Sequence, residues 1–221
     1  MVSKYVFLVV ITVFLQQAHV SFCQTEEEKD ILEWEAPAEF PKMFPYYLSG
    51  YDMEGSPVWL MDFGAWDIRD IVDKGGESLS DLRKYMYQMI VRTAFEKSQN
   101  QDDGRNHKLG TPIVIIDLNG YTVAKATHVK GVVVAMDMLR IIEKFAQRGL
   151  IGSGYVVNAN SIFESFWRLG KPLLGRISEL IEIHGTNADK WKPVLLHKIP
   201  ADQLPFRLGG SKDHQMLKTF G

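Results

Sequence analysis

Apolar residues at Leu79, Leu82, Tyr85, Met86, Met89, Ile90 and Phe95 recur every three or four positions, which predicts an amphipathic helix over 79–97. The run 113–118 (IVIIDL) opens with four apolar residues and no alternation. That pattern fits a strand covered on both faces, as in a parallel sheet between layers of helix. A second helix follows over about 130–147, then a buried strand at 155–159, a helix over 162–169, a break at Pro172 and a strand near 180–184. Upstream, the turn-forming run 51–56 precedes a strand over 57–63 (PVWLMDF), and the polar run 99–108 reads as a surface loop. Downstream, 191–210 holds a short helix and a proline-bounded turn. Strands alternating with helices need crossover connections, so the fold class is α/β with a mostly parallel sheet.

The ends depart from this alternation. Residues 24–45 are acidic and punctuated by Pro37, Pro41 and Pro45, which predicts an extended lead-in with at most one helical turn. Ahead of it, Lys4 precedes an uncharged apolar run over 5–15, shorter than the roughly 20 residues a membrane helix needs. Gln16 and Gln17 end that run, and Ser21 and Cys23 place small residues at a cleavage site. The expectation is a signal peptide over 1–23 and a secreted chain beginning near Gln24; an uncleaved anchor is the alternative. The expected division is leader 1–23, lead-in 24–47, one domain over 48–210 and a tail over 211–221.

Composition narrows the function classes. With 221 residues, 46% hydrophobic and 24% charged, the chain is neither a disordered tail nor a small disulfide scaffold. Its 25 basic residues are balanced by 27 acidic ones, which excludes strong electrostatic capture of nucleic acid. The one cysteine is Cys23, so an exported chain would hold no disulfide and packing alone must stabilise it.

Catalytic signatures are scarce. The sequence has no His-Glu-x-x-His zinc helix, Walker loop or Gly-x-Ser-x-Gly elbow. Gly149, Gly152 and Gly154 precede a strand, whereas a dinucleotide fingerprint follows one. His107, His128, His184, His197 and His214 are scattered, and His184 at a strand end reads as a satisfied polar residue. No metal site or cofactor is expected. Asp117 ends a central strand, where open α/β sheets place their sites. The competing reading, that its carboxylate holds the Asn119–Gly120 turn, is favoured because no partner base or nucleophile is evident.

Four stretches, in order and with compatible spacing, resemble the lipid-binding CRAL-TRIO (Sec14-like) domain family: 48–59 (LSGYDMEGSPVW), 115–120 (IIDLNG), 155–159 (YVVNA) and 199–205 (IPADQLP) running to Gly209 and Gly210. The resemblance spans about 31–210. It implies a mixed, mainly parallel sheet covered by helices, flooring a deep apolar pocket that one hydrophobic molecule fills and a mobile helix gates. The matching gate is 162–174 (IFESFWRLGKPLL), whose apolar residues, Leu169 among them, exceed what one buried face needs. An ordinary core helix is the alternative; as a gate, it has a natural hinge at Gly170 and Pro172. By this resemblance the ligand is lined by Met89, Ile115, Asp117, Tyr155, Val157 and Ile181, and by Phe163, Phe166, Trp167, Leu173 and Leu174 of the gate. No catalytic residue is implied.

Departures from the family refine the expectation. By this resemblance, the family's small helical domain ahead of the sheet is expected to be missing, since the apolar run over 5–15 is followed almost directly by the lead-in. Gln147-Arg148-Gly149 stands where phosphoinositide-binding members carry Tyr-Pro-Glu, and Ile181 replaces a lysine. A buried phosphate would lack partners, so inositol-phosphate recognition is not expected. Asn160 replaces a proline and can cap the gate helix. The expected ligand is neutral or weakly polar: a retinoid, sterol, tocopherol-like or terpenoid molecule, or a fatty acid. Each CH₂ buried is worth roughly 0.8 kcal/mol, so such a guest needs a carrier to cross water. Transient membrane contact during exchange is expected, and no nucleic acid. The alternative is a secreted interaction module whose pocket is filled; a hydrolase comes third.

Overall fold

The structure is a computed structural model that describes residues 24–96, 111–171 and 174–220. The leader over 1–23, the loop over 99–108, Pro172 and Leu173 lie outside the described residues. The described part begins with helix α1 (Glu26–Glu33), a single turn α2 (Phe40–Met43), strands β1 (Tyr46–Tyr51) and β2 (Pro57–Met61), and helices α3 (Arg69–Lys74) and α4 (Gly76–Phe95). Strand β3 (Ile113–Asp117) leads to helices α5 (Val123–Ala126) and α6 (Val129–Gln147), then strand β4 (Gly154–Ala159) and helices α7 (Ser161–Gly170) and α8 (Ile177–Leu180). Strand β5 (Ile181–Gly185), helix α9 (Ala188–Lys198), two 3-10 turns and strand β6 (Lys218–Phe220) complete it.

The sheet order is β5-β4-β3-β2-β1-β6. Strands β2 to β5 run parallel, while β1 is antiparallel to both of its neighbours. This is the mixed, mainly parallel α/β sheet the sequence implied.

Both ends correct the sequence reading. The lead-in is not extended, because Thr25 and Glu28 form a capping box that starts α1. The Glu28 N–H donates to Thr25 Oγ1 at 3.2 Å, and the Thr25 N–H donates to Glu28 Oε2 at 2.8 Å. Pro37, Pro41 and Pro45 all fall beyond the last residue of α1, where they break nothing. The tail likewise holds an edge strand: β6 pairs with β1, and Phe220 stacks on Tyr46 at 5.0 Å between ring centres. Strand β1 was also unforeseen upstream of the 51–56 turn, and a register shift between Leu48 and Gly50 interrupts it.

Side-chain parity divides the core in two. On one face, Tyr46, Leu48, Trp59 and Met61 pack against Leu82, Tyr85, Met86 and Met89 of α4 and Val134 of α6. On the other, Val58, Leu60, Ile113, Ile115, Tyr155 and Val157 pack against Trp191 and Leu195 of α9 and Ile199 after it.

Candidate functional site

The two faces are not equally covered, and β3 shows it residue by residue. Ile113 and Ile115, beneath α9, are 4% and 0% exposed. Val114 and Ile116, on the opposite face, are only half-buried. Ile181 and Ile183 of β5 are half-buried too, in a cluster with Ile116, Leu118, Val156, Ala159 and Phe163. Helix α6 is apolar around most of its circumference over 132–142 (VVVAMDMLRII), yet it fully buries just Gly131, Val134, Phe145 and Ala146. Met138, Leu139 and Ile142 stay half-buried. None of the described side chains of α7 is fully buried: Ile162, Phe163 and Trp167 are half-buried, and Phe166 is 47% exposed. Apolar surface left in water forgoes about 25 cal/mol per Å², which an apolar guest against these elements would recover.

Helix α7 is fastened at its start and just beyond its end. Asn160 is its N-cap, as its sequence position suggested: Oδ1 accepts the Phe163 N–H at 3.0 Å, and Nδ2 donates to the Tyr121 carbonyl at 2.7 Å. The Phe163 ring meets Tyr121 edge-on at 5.8 Å, extending an aromatic row through Phe63 to Trp66. Past α7, the Glu143 carboxylate of α6 accepts the N–H groups of Arg176 at 3.0 Å and Ile177 at 2.9 Å. The Ile177 bond leads in holding this carboxyl below the usual glutamate range, with burial opposing it and the Gln147 and Arg176 contacts adding to it. Between these anchors, Gly170 has no neighbour within 4 Å of where a Cβ would stand.

The carboxyl ends of the parallel strands hold polar groups in structural roles. Asp117 Oδ1 accepts the Asn119 N–H at 2.9 Å and Asn158 Nδ2 at 2.8 Å, so it holds the turn. Asn158 takes a φ of 57°, rare for a residue other than glycine, where β4 shifts register. Asp62 pairs with Arg207 at 2.6 Å; burial raises its carboxyl, Arg207 opposes that, and Asp117 adds to it. His184 is not satisfied as expected: among the described residues its buried Nε2 has no hydrogen-bond partner, and it lies 3.6 Å from Glu182 Oε2. A contact the sequence did not suggest joins Ser49 Oγ to His214 Nε2 at 3.1 Å. Ser49 is 1% exposed and its hydroxyl lies 2.8 Å from the Gln203 carbonyl, so the contact fastens the C-terminal segment to β1 and offers a substrate no approach. Among the described residues, no group of three or more His, Cys, Asp or Glu is placed to hold a metal ion. Among them too, no helix is long and apolar enough to cross a membrane.

The arrangement of sheet, helix α7 and C-terminal turns agrees with a family match: the CRAL/TRIO domain profile covers residues 42–210. The chain belongs to the CRAL/TRIO domain family. CRAL/TRIO and Sec14 proteins are known for lipid binding and transfer. The chain is 28% identical over 172 residues to the Sec14 cytosolic factor of Schizosaccharomyces pombe, which covers 77% of this chain and 57% of that protein. It is 28% identical over 175 residues to the SEC14 cytosolic factor of Eremothecium gossypii, covering 78% and 54%. The chain thus spans little more than half the length of these relatives. The crystal structure of Sfh5 superposes with a TM-score of 0.63 at 13% identity, over 91% of this chain and 68% of that one, a likeness of fold.

Within this CRAL/TRIO fold the residues singled out from the sequence separate. Phe163 and Ile181 come together on the half-open face. Trp167 is half-buried on α7, Phe166 points outward, Leu174 is buried, and Leu173 lies outside the described residues. Met89 is buried in the α4 cluster. Ile115, Tyr155 and Val157 belong to the sealed core beneath α9, and Asp117 shares their parity, because alternate residues of a strand point to opposite faces. Their neighbours Ile116 and Val156 turn toward α7 instead. Sequence reasoning missed Val114, Ile116, Leu139 and Ile183, while Met138 and Ile142 pack toward α4. Two surface grooves, of about 380 Å³ between α4 and α6 and about 390 Å³ beside Trp34, Arg92 and Phe220, are lined by none of the predicted residues.

Proposed function

We propose that this CRAL/TRIO chain holds one small hydrophobic molecule against β3 to β5 beneath α6 and α7, and exchanges it with membranes without acting on it chemically. The observation that carries this reading is the contrast along β3, with Ile113 and Ile115 sealed and Val114 and Ile116 left half-open. On the face turned toward α7, the half-open side chains of β3 and β5, Val114, Ile116, Ile181 and Ile183, are apolar, which favours a neutral or weakly polar guest such as a retinoid, sterol, tocopherol-like or terpenoid molecule, or a fatty acid. Contact with a membrane falls to an apolar rim: Val123 of α5, Val129, Val132 and Val133 of α6, and Phe166 of α7 are all exposed.

Native mass spectrometry followed by mild organic extraction tests the carrier reading. A co-purified lipid is expected, together with a fluorescent retinoid or fatty acid binding at about 1:1. Filling the face by Ile116→Trp with Ile183→Trp should abolish probe binding while the protein stays folded. Empty protein, with probe binding indifferent to that filling, would leave the fold as an interaction module with its interior closed.

Export is a separate proposal. It rests on Lys4 and the apolar run over 5–15, whereas the fungal relatives are named cytosolic factors. Fusing residues 1–23 to a reporter tests it, and a reporter retained in the cytosol rejects it.

A further inference from the structure

The groove between α4 and α6 lies outside the face just described. Its floor is apolar, made by Met86 of α4 with Val134, Met138 and Ile141 of α6. Met86 and Val134 are buried from water, while Met138 and Ile141 are left half-covered. At about 380 Å³ the groove lies within the range of small-molecule sites. From Val134 to Lys144 it follows α6 for about 15 Å, at 1.5 Å of rise per residue.

Its lip is cationic. Asp137 is the one carboxylate among the lining residues, and both of its oxygens are engaged, by Arg83 at 3.0 Å and by Arg140 at 2.7 Å. Lys144 stands one turn beyond Arg140 on the same side of α6 and, among the described residues, pairs with no carboxylate. Three cations against one anion leave a net positive lip over a greasy floor. A neutral lipid would answer the floor alone, and a hydrophilic anion the lip alone. Both are answered by a long single chain that ends in a carboxylate.

We propose that this groove is a second lipid site that takes the anion of a long-chain fatty acid, its chain along Met86, Val134, Met138 and Ile141 and its carboxylate at Arg140 and Lys144. The site is independent of the guest carried beneath α7 and stands or falls apart from it.

Photolabelling with a diazirine-bearing dodecanoate, followed by peptide mapping, tests the proposal on the full chain. Labels are expected in α4 and α6 around 82–90 and 134–144. Charge reversal by Arg140→Glu with Lys144→Glu should weaken that labelling at least tenfold. Both side chains are on the surface, so folding, checked by circular dichroism, should be unchanged. The corresponding alcohol should not label these peptides. The proposal is overturned if the α4 and α6 peptides stay unlabelled, if the double variant labels as well as the wild type, or if the alcohol labels equally. It is also overturned if the substitutions reduce sedimentation with anionic vesicles but leave dodecanoate labelling intact, for the lip would then be a membrane contact.

Discussion

The Arg148 guanidinium at the end of α6 closes over the Glu28 carboxylate in the first turn of α1, with Nη2 3.2 Å from Oε2. The Glu28 side chain is 3% exposed, and Arg148 also lies over the Phe95 and Phe145 rings. Gln88 adds a second tie, its Nε2 donating to the carbonyls of Ile31 at 2.8 Å and Trp34 at 2.7 Å. The segment that precedes the sheet is therefore docked on α4 and α6 as part of the fold.

Glu28→Ala leaves Arg148 without this partner and should cost about 3 kcal/mol, read from urea unfolding. Burial alone would raise the Glu28 carboxyl, but the Arg148 and Thr25 bonds outweigh it and the net shift is downward. A carboxyl depressed in the folded state contributes stability above its unfolded value and loses it as pH falls through the folded one. Hydrogen exchange over 26–33 should therefore accelerate once the pH drops below the ordinary glutamate value of 4.5, and should not respond to pH in this way in Glu28→Gln.

Glu143 governs the segment that follows α7. Glu143→Ala removes the acceptor for the Arg176 and Ile177 N–H groups, so amide exchange over 176–180 should rise while that of β3 and β4 stays constant. Release of a bound fluorescent guest should quicken in the same variant. Unchanged exchange over 176–180 would show that the carboxylate does not hold this segment.

Gly64 donates its N–H to the Asp117 carbonyl at 2.8 Å, and a side chain there would run into the backbone of Leu118 and Asn119. Gly64→Ala should cost about 2 kcal/mol in unfolding free energy, because backbone cannot yield as a side-chain tip can. A loss within 0.5 kcal/mol would mean that the β2 and β3 ends separate easily.

Phe163 and Phe166, three residues apart on α7, should respond differently. Phe166→Asp alters an exposed ring, so stability should stay within about 0.5 kcal/mol while transfer between vesicles falls. Phe163→Ala loses the Tyr121 contact and should destabilise, by less than the roughly 3–5 kcal/mol of a fully buried phenylalanine. Equal transfer by Phe166→Asp and the wild type would remove this ring from the membrane-facing rim.

Much of this architecture was legible in the residues themselves. The 3–4 spacing from Leu79 onward placed α4, and the unbroken apolar run at Ile113 placed β3, because burial on two faces leaves no polar position. The same uniformity hid which face each residue serves. With Ile115 and Ile116 alike in character, only the pairing of Ile115 with Tyr155 and of Ile116 with Val156 assigns them. Helix α1 has a signal in Thr25 and Glu28, a capping box that an expectation built on the prolines after it leaves out. Strand β6 carries no signal of its own: three residues gain their conformation from pairing with β1 and from the ring of Tyr46. Helix α6 announced more grease than one seam requires, the clue that the face beneath it is incompletely covered.

The wall that Trp191, Leu195 and Ile199 build behind the sheet makes the molecule one-sided. If the chain carries a guest as proposed, a passenger admitted from the α7 side meets this wall among the described residues, so boarding and departure share a doorway and cannot overlap. Delivery then requires the protein to turn the same flank to the donor as to the acceptor, which makes a single round trip a tumbling step between two landings.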